Sequence, residues 1–555
     1  MIPTKRKWPL LLALAFAAAQ GAVQAQFSYT TNSDNTLTIT GYSGSSGLVN
    51  IPDTIDGLTV SSIALGAFDE DAGLTNLTIA GSVTNIQSFA FIACGNLTNV
   101  ILSNGVISLA DYSFNDCGSL SNVTIPASVT SIGSVAFQYS GLGRVIVPAG
   151  VTYLGDGAFQ NESNLTNATI LAPLPSLGNG MFAVCPNLVS VTLLDSITSI
   201  GSSAFTQCGS LRAAPIPGNV TNIGNSAFQY DGGMTTAVIP NGVTSLGDYA
   251  FDGTGLTNVT IPASVTNIGN QAFSDCPALT SITIAPQNPN YSSLGGVLFD
   301  KNQTVLLRCP GGLTGNYVIP ATVTNLGDSA FESCLQLTGV TIPTSIASIG
   351  PNLFRNCRSL ASVTIPNSVT NLGDRAFYFC MALTNITLGT NLAGIGQEEF
   401  EMDPLRSITF PASLTNIGMN AFSSCHSLTR IYFQGNAPVI GYAAFAGVGP
   451  SPTIYYLPGT TGWSHLYNPN YTGSLALWNP LILTRNTNFG LQNHHFGFDI
   501  TGATNLPIVV EVCSNLANPV WTPLTNVILT NGLFQFNEPL LTNVVSGRFY
   551  RLTAP

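Results

Sequence analysis

A phenylalanine recurs along most of this 555-residue chain at a nearly fixed interval, and few folds satisfy that constraint. It stands at Phe68, Phe91, Phe114, Phe137, Phe159, Phe182, Phe205, Phe228, Phe251 and Phe273, then at Phe331, Phe354, Phe377, Phe400, Phe422 and Phe445. The steps are 23 residues with an occasional 22, apart from a single step of 58. Each shorter step loses its residue in the loop after Phe137, Phe251 or Phe400, before the next leucine. An exposed loop tolerates such a deletion, whereas a packed column does not. One coil of this length cannot cover its own apolar face, so coils must stack and share an interior.

The stretch from Leu256 to Cys276 shows how one unit is built. Leu256, Val259 and Ile261 fit a strand, with Val259 and Ile261 on one face because side chains alternate. Pro262 ends it, Val265 and Ile268 begin a second extended piece, and Gly269 permits a turn. The residue three before the phenylalanine is Asp, Asn or Ser in eleven of the sixteen units, as at Asp111, Asp156, Asn179, Asn225, Asp248 and Asn270. Those side chains cap a short helical turn, which the spacing predicts at each phenylalanine. No D-x-D-x-D-G loop accompanies the column, so no calcium role is expected for it.

Nine of the eleven cysteines stand three residues after a phenylalanine, from Cys94 to Cys425. They form one interior column whose parallel side chains favour free, buried thiols over disulfides. No C-x-x-C pair is present, and His426, His465, His494 and His495 form no metal-ligand pattern. Neither a metal nor any other cofactor is expected.

The units read close to L-x-x-V-x-I-P-x-x-V-T-x-I-G-x-x-A-F-x-x-C between about Leu74 and Val448. This resembles the BspA-like, or Treponema-type, leucine-rich repeat of bacterial surface proteins. The resemblance implies a curved right-handed solenoid with a parallel sheet along its concave side, and a role in adhesion.

Export is read from the first residues. Lys5, Arg6 and Lys7 precede an apolar run from Trp8 to Ala19, and Val23-Gln24-Ala25 offers a cleavage site after Ala25. No later run is apolar enough to span a bilayer, so a secreted or cell-surface protein without an integral membrane segment is expected. Removing 1–25 leaves 12 basic against 26 acidic residues, a net charge of −14. Such a surface excludes nucleic acid as a natural partner, because no basic patch neutralises phosphate. Only 7% of residues are charged, yet 45% are hydrophobic, so a large core can form and disorder is not expected.

The expected fold is a mainly β repeat solenoid with short helical turns, followed by a small β-sandwich. The domain reading is 1–25 signal peptide, 26–73 amino-terminal cap, 74–475 solenoid with a hairpin insert near 285–316, and 476–555 carboxy-terminal module. The insert is a candidate for specificity. The last module rests on strand patterns such as Phe496–Ile500 and Phe549–Leu552, and on a G-R-F-Y-R-L ending at Gly547–Leu552.

No nucleophile elbow, phosphate loop or H-E-x-x-H is present, and no catalytic residues are assigned. The broadest preformed surface is the strand position between the two buried residues. Threonine dominates it, including Thr260, Thr341 and Thr364, with Ile101, Ile146, Val238 and Tyr432 among the interruptions. These seven are the candidate contact residues, Tyr432 first. Threonine also suits any half-exposed strand, so the row alone specifies no ligand. The expected function is non-catalytic binding of extracellular protein or glycan by a monomer. Two other readings stay open: a self-associating surface scaffold, and a polymer-acting hydrolase, which needs a pocket with two carboxylates about 5–10 Å apart.

Overall fold

The computed structural model describes residues 26–44, 47–457 and 460–463, and near the carboxy terminus 473–477, 481–484, 488–492, 495–502, 506–516, 519–529, 533–539 and 548–553. The expected signal segment, 1–25, and His465 and His494 lie outside them. The chain divides into two compact units, Met1–Lys301 and Asn302–Pro555.

In the first unit most turns of the repeat contribute two strands to two parallel ladders. The longer strands include Asn76–Ile79, Asn99–Leu102 and Asn122–Thr124, which pair residue for residue along the repeat. Val100 and Leu102 point inward and Ile101 outward, the alternation that a one-sided core demands. Two-residue strands such as Asn85–Ile86, Ser108–Leu109 and Ser131–Ile132 form the second ladder. The phenylalanine rings stack between these walls. From Phe91 to Phe273 consecutive centroids lie 5.1–5.9 Å apart, every plane within 18° of its neighbour. Phe68 joins at 4.8 Å, and Tyr42 and Phe27 close the amino-terminal end of the stack.

The repeat turns contain no helix among the described residues, contrary to the expectation. Around Phe205 the reason is plain. Residues Ser203 and Gln207 adopt positive φ of 54° and 61°, so the backbone alternates in direction. The N–H groups of Ser203, Phe205 and Gln207 donate at 2.8 Å to carbonyls of Asn225, Ala227 and Gln229 in the next turn. Only the intervening Ala204 and Thr206 bond back three residues, to Gly201 and Ser203. A helix would turn all these groups along its own axis; the stacked neighbour offers acceptors that an isolated helical turn lacks.

The expected capping column is therefore a ladder between turns. Asn179 Oδ1 accepts the N–H of Ser202 at 2.8 Å, and Asp156 Oδ1 accepts that of Asn179 at 2.8 Å. Asp111, Asn225, Asp248 and Asp374 do the same for Ser134, Asp248, Asn270 and Gln397. Asn179→Ala is expected to cost about 1 kcal/mol by thermal melting, the worth of one such bond. The glycine of the repeat also serves a purpose other than a left-handed turn. A Cβ on Gly269 would lie 2.4 Å from the backbone nitrogen of Asp248, so close approach of successive turns requires its absence.

All eleven cysteines are buried, and none is bridged to another. Those of the column also hydrogen-bond: Cys94, Cys117 and Cys208 donate at 3.1 Å to the carbonyls of Phe68, Phe91 and Phe182. Other turns bury an acid or hydroxyl in this column instead, at Ser140, Glu162, Asp231, Thr254 and Asp403.

The insert begins in the first unit as an antiparallel hairpin, Tyr291–Leu294 with Val297–Asp300, turned by Gly295 and Gly296 at φ 59° and 82°. Val297, Leu298 and Phe299 are buried, so much of the hairpin is core rather than a free loop.

The second unit repeats the pattern. Rings from Phe331 to Phe445 stack at 5.0–5.6 Å. Strands Gly315–Val318, Leu337–Thr341, Ser362–Thr364 and Asn385–Thr387 form one parallel sheet, and Ser407–Phe410, Arg430–Phe433, Thr453–Tyr456 and Ser474–Leu477 another. Beyond them lie two antiparallel sheets. His495–Thr501 pairs with Leu481–Leu483, Gly490–Gln492 and Leu533–Pro539, and Leu506–Cys513 pairs with Thr522–Leu529 and Phe549–Thr553. Phe498, Ile500, Ile508, Val510, Leu529 and Phe536 from both sheets share one cluster.

Candidate ligand-binding face

Register turns the expected threonine position into rows of neighbours. In the first unit Thr78, Ile101 and Thr124 stand side by side, as do Ile146, Thr169 and Thr192, and Thr260 with Thr283. In the second unit Thr341, Thr364 and Thr387 align. Thr260, Thr341 and Thr364 are exposed, and so are Ile101, Ile146 and Val238, the last at 79%.

Tyr432 does not share that exposure. Its ring stacks on Tyr455 at 4.9 Å and is only 2% exposed, packed with Phe498, Ile500 and their neighbours of the carboxy-terminal sheets. Burial pushes its phenol well above the usual range. Alternation correctly places Tyr432 on the outward face but carries no information about what covers that face. A large aromatic beside a second one is where the chain seats its last module.

A second outward row escaped the sequence reading. Two residues before the threonine position stand Asn99 and Asn122, and Asn167 and Ser190, joined by side-chain hydrogen bonds of 3.1 and 2.8 Å. The same period-2 alternation that identified the threonines points to them. In the second unit this row holds Ser362, Asn385, Ser407 and Arg430.

The face is not continuous. In the first unit, two turns between Ser190–Thr192 and Asn258–Ile261 lack the longer strand, and on this face they share only a bridge from Ala213 to Thr236. Pro215 occupies the row there and has no N–H to donate. The break leaves a recess of about 460 Å³ lined by Thr236, Val238, Asn241, Asn258, Thr260 and Pro262, which brings Val238 and Thr260 together. A second recess, of about 520 Å³, lies in the second unit. Its walls include Asn385, Thr387, Ser407, Thr409, Arg430 and Ile528. Neither recess is lined by an acidic residue. Among the described residues no three His, Cys, Asp or Glu side chains gather as metal ligands, and no helix is long and apolar enough to cross a membrane.

The arrangement offers hydroxyl, amide and apolar contacts rather than a nucleophile with its base. Comparison with known proteins agrees with the repeat reading. The model for the "BspA type Leucine rich repeat region (6 copies)" matches residues 49–166, 152–280, 221–305 and 322–449. A leucine-rich repeat protein from Bacteroides ovatus is 25% identical, aligned over 82% of this chain and 98% of its own, with a TM-score of 0.43. The leucine rich repeat protein of T. pallidum is 30% identical over 34% of this chain and 88% of its own, with a TM-score of 0.33. A leucine rich cell surface protein from Faecalibacterium prausnitzii is 25% identical over 82% of this chain and 93% of its own, with a TM-score of 0.31. A search of curated proteins finds no match. With the family model spanning well over half its length, this chain belongs to the BspA-type leucine-rich-repeat family.

Proposed function

We propose that this is an exported, non-catalytic binding protein that recognises extracellular protein or glycan through the outward face of its longer strands. Cleavage after Ala25 releases a monomer to the cell surface or medium, and the carboxy-terminal sheets form a small β-sandwich that closes the last turns. The observation that carries the reading is the pair of aligned polar rows, threonine beside asparagine or serine, broken by the exposed side chains of Ile101, Ile146 and Val238. Repeated weak contacts along such rows add up through effective concentration, and isolated apolar residues supply the anchors that neutral hydroxyls lack.

The test is a glycan and protein array probed with the mature chain, followed by aspartate substitutions at Ile101, Ile146 and Val238. All three sites are exposed, so the variants should fold like the parent. Binding should fall at least tenfold for one or more of them. Unchanged binding in all three would move the contact surface elsewhere. Sedimentation run alongside reads the scaffold alternative, since concentration-dependent assembly without array signal would favour it.

A further inference from the structure

We infer that the recess of the second unit binds an acidic sugar residue, with the sugar carboxylate held by Arg430. The inference rests on the binding role proposed above and specifies the ligand class for one part of that surface.

Arg430 lies on the outward side of its strand, in register with Ser407. Arg430 and Tyr432 both line the recess. A guanidinium carries five N–H donors, so it can serve several acceptor atoms of a ligand at once. Four other arginines, Arg355, Arg375, Arg548 and Arg551, are paired with glutamates. None of these ion pairs among the described residues involves Arg430, and the recess contains no carboxylate. In a chain with a net charge of −14 after removal of 1–25, this is a place where an acid is attracted rather than repelled.

A planar guanidinium matches a carboxylate in two parallel hydrogen bonds. The remaining walls suit the rest of a sugar ring. Asn385, Thr387, Ser407 and Thr409 offer neutral donors and acceptors for ring hydroxyls, and Ile528 supplies an apolar surface for its C–H face. A volume of about 520 Å³ falls within the range of small-ligand sites. The recess of the first unit, by contrast, is lined without any charged residue.

The experiment is titration calorimetry of the mature chain with three probes: a glucuronate-containing oligosaccharide, its carboxyl-reduced neutral counterpart, and an acidic peptide. The glucuronate form should bind at least tenfold more tightly than the other two. Arg430→Gln should erase that preference while leaving the affinity for the reduced sugar unchanged. Ser407→Asp, at an exposed site in register with Arg430, should also erase the preference by pairing with the guanidinium, and Tyr139→Ala, at an exposed site outside the recess, should have no effect. Equal affinity for acidic and reduced sugars, a preference that survives both Arg430→Gln and Ser407→Asp, tighter binding of the peptide, or no binding of the glucuronate probe would each overturn the inference. In any of these cases array binding lost through Ile101, Ile146 or Val238 would leave the broader role standing.

Discussion

Phe205→Ala is expected to destabilise the first unit by about 3–5 kcal/mol, the range for truncating a buried phenylalanine. The ring is fully buried and touches a phenylalanine on either side, with centroids at 5.7 and 5.2 Å. Its removal leaves a void that neighbouring turns cannot fill, because their backbones are fixed to each other by the 2.8 Å bonds of Ser203, Phe205 and Gln207. Stacked repeats contact mainly their neighbours, so the loss should stay local. Hydrogen exchange should rise most in the turns of Phe182, Phe205 and Phe228. Tyr139→Ala, at a site 52% exposed, is the control and should stay within about 0.5 kcal/mol. A change in the urea midpoint no larger for Phe205→Ala than for Tyr139→Ala would show that the ring is not in a packed column.

Raising the pH from about 4.5 to about 8 is expected to weaken the first unit by several kcal/mol, an interval set by Glu162. This residue takes the cysteine position in its turn and accepts hydrogen bonds from the backbone of Ser140 and Leu142 and from the Ser140 hydroxyl. Burial outweighs those three donors and pushes its carboxyl up to about 8 from an ordinary 4.5. Between the two values the unfolded chain has lost the proton while the folded chain keeps it. Stability is thus complete below about 4.5 and falls by about 1.4 kcal/mol per pH unit until the folded group titrates. Asp231 adds to the slope, since burial raises it well above the carboxylate range although one oxygen accepts the Cys208 N–H at 2.7 Å. Asp231→Asn resembles the neutral acid and should flatten the pH profile. Thermal melts at pH 5 and pH 8 read the effect; equal melting temperatures would mean that these acids are folded in their charged form. Glu399 and Asp403, raised by burial in the second unit, carry the same sign.

Much of the fold was legible because the repeat states each position many times. Phenylalanine, cysteine and the strand alternation all emerge from spacing alone, and the rings stack where the period requires. The helical turns were not legible. Asp or Asn before an Ala-Phe pair has the local chemistry of a cap, and only the presence of a neighbouring turn redirects Asp156 and Asn179 across the stack. The turn at Gly269 was legible, but not that the residue must also leave room for Asp248 of the preceding turn. The candidate face divides in the same way. Ile101, Ile146, Val238 and the threonines are outward because alternation is local. Tyr432 is buried by a module far along the chain, a long-range fact that no spacing contains. Arg430 follows from the same alternation, two residues before Tyr432, on the row of Ser407 rather than that of the threonines.

Amide hydrogen exchange resolved across residues 203–207 probes the stacked interior most directly. Slow exchange at Ser203, Phe205 and Gln207, whose N–H groups enter the next turn, is the predicted result, repeated at the same positions of neighbouring turns. Exchange there as fast as in an unfolded peptide would show that the coils do not stack around their phenylalanines.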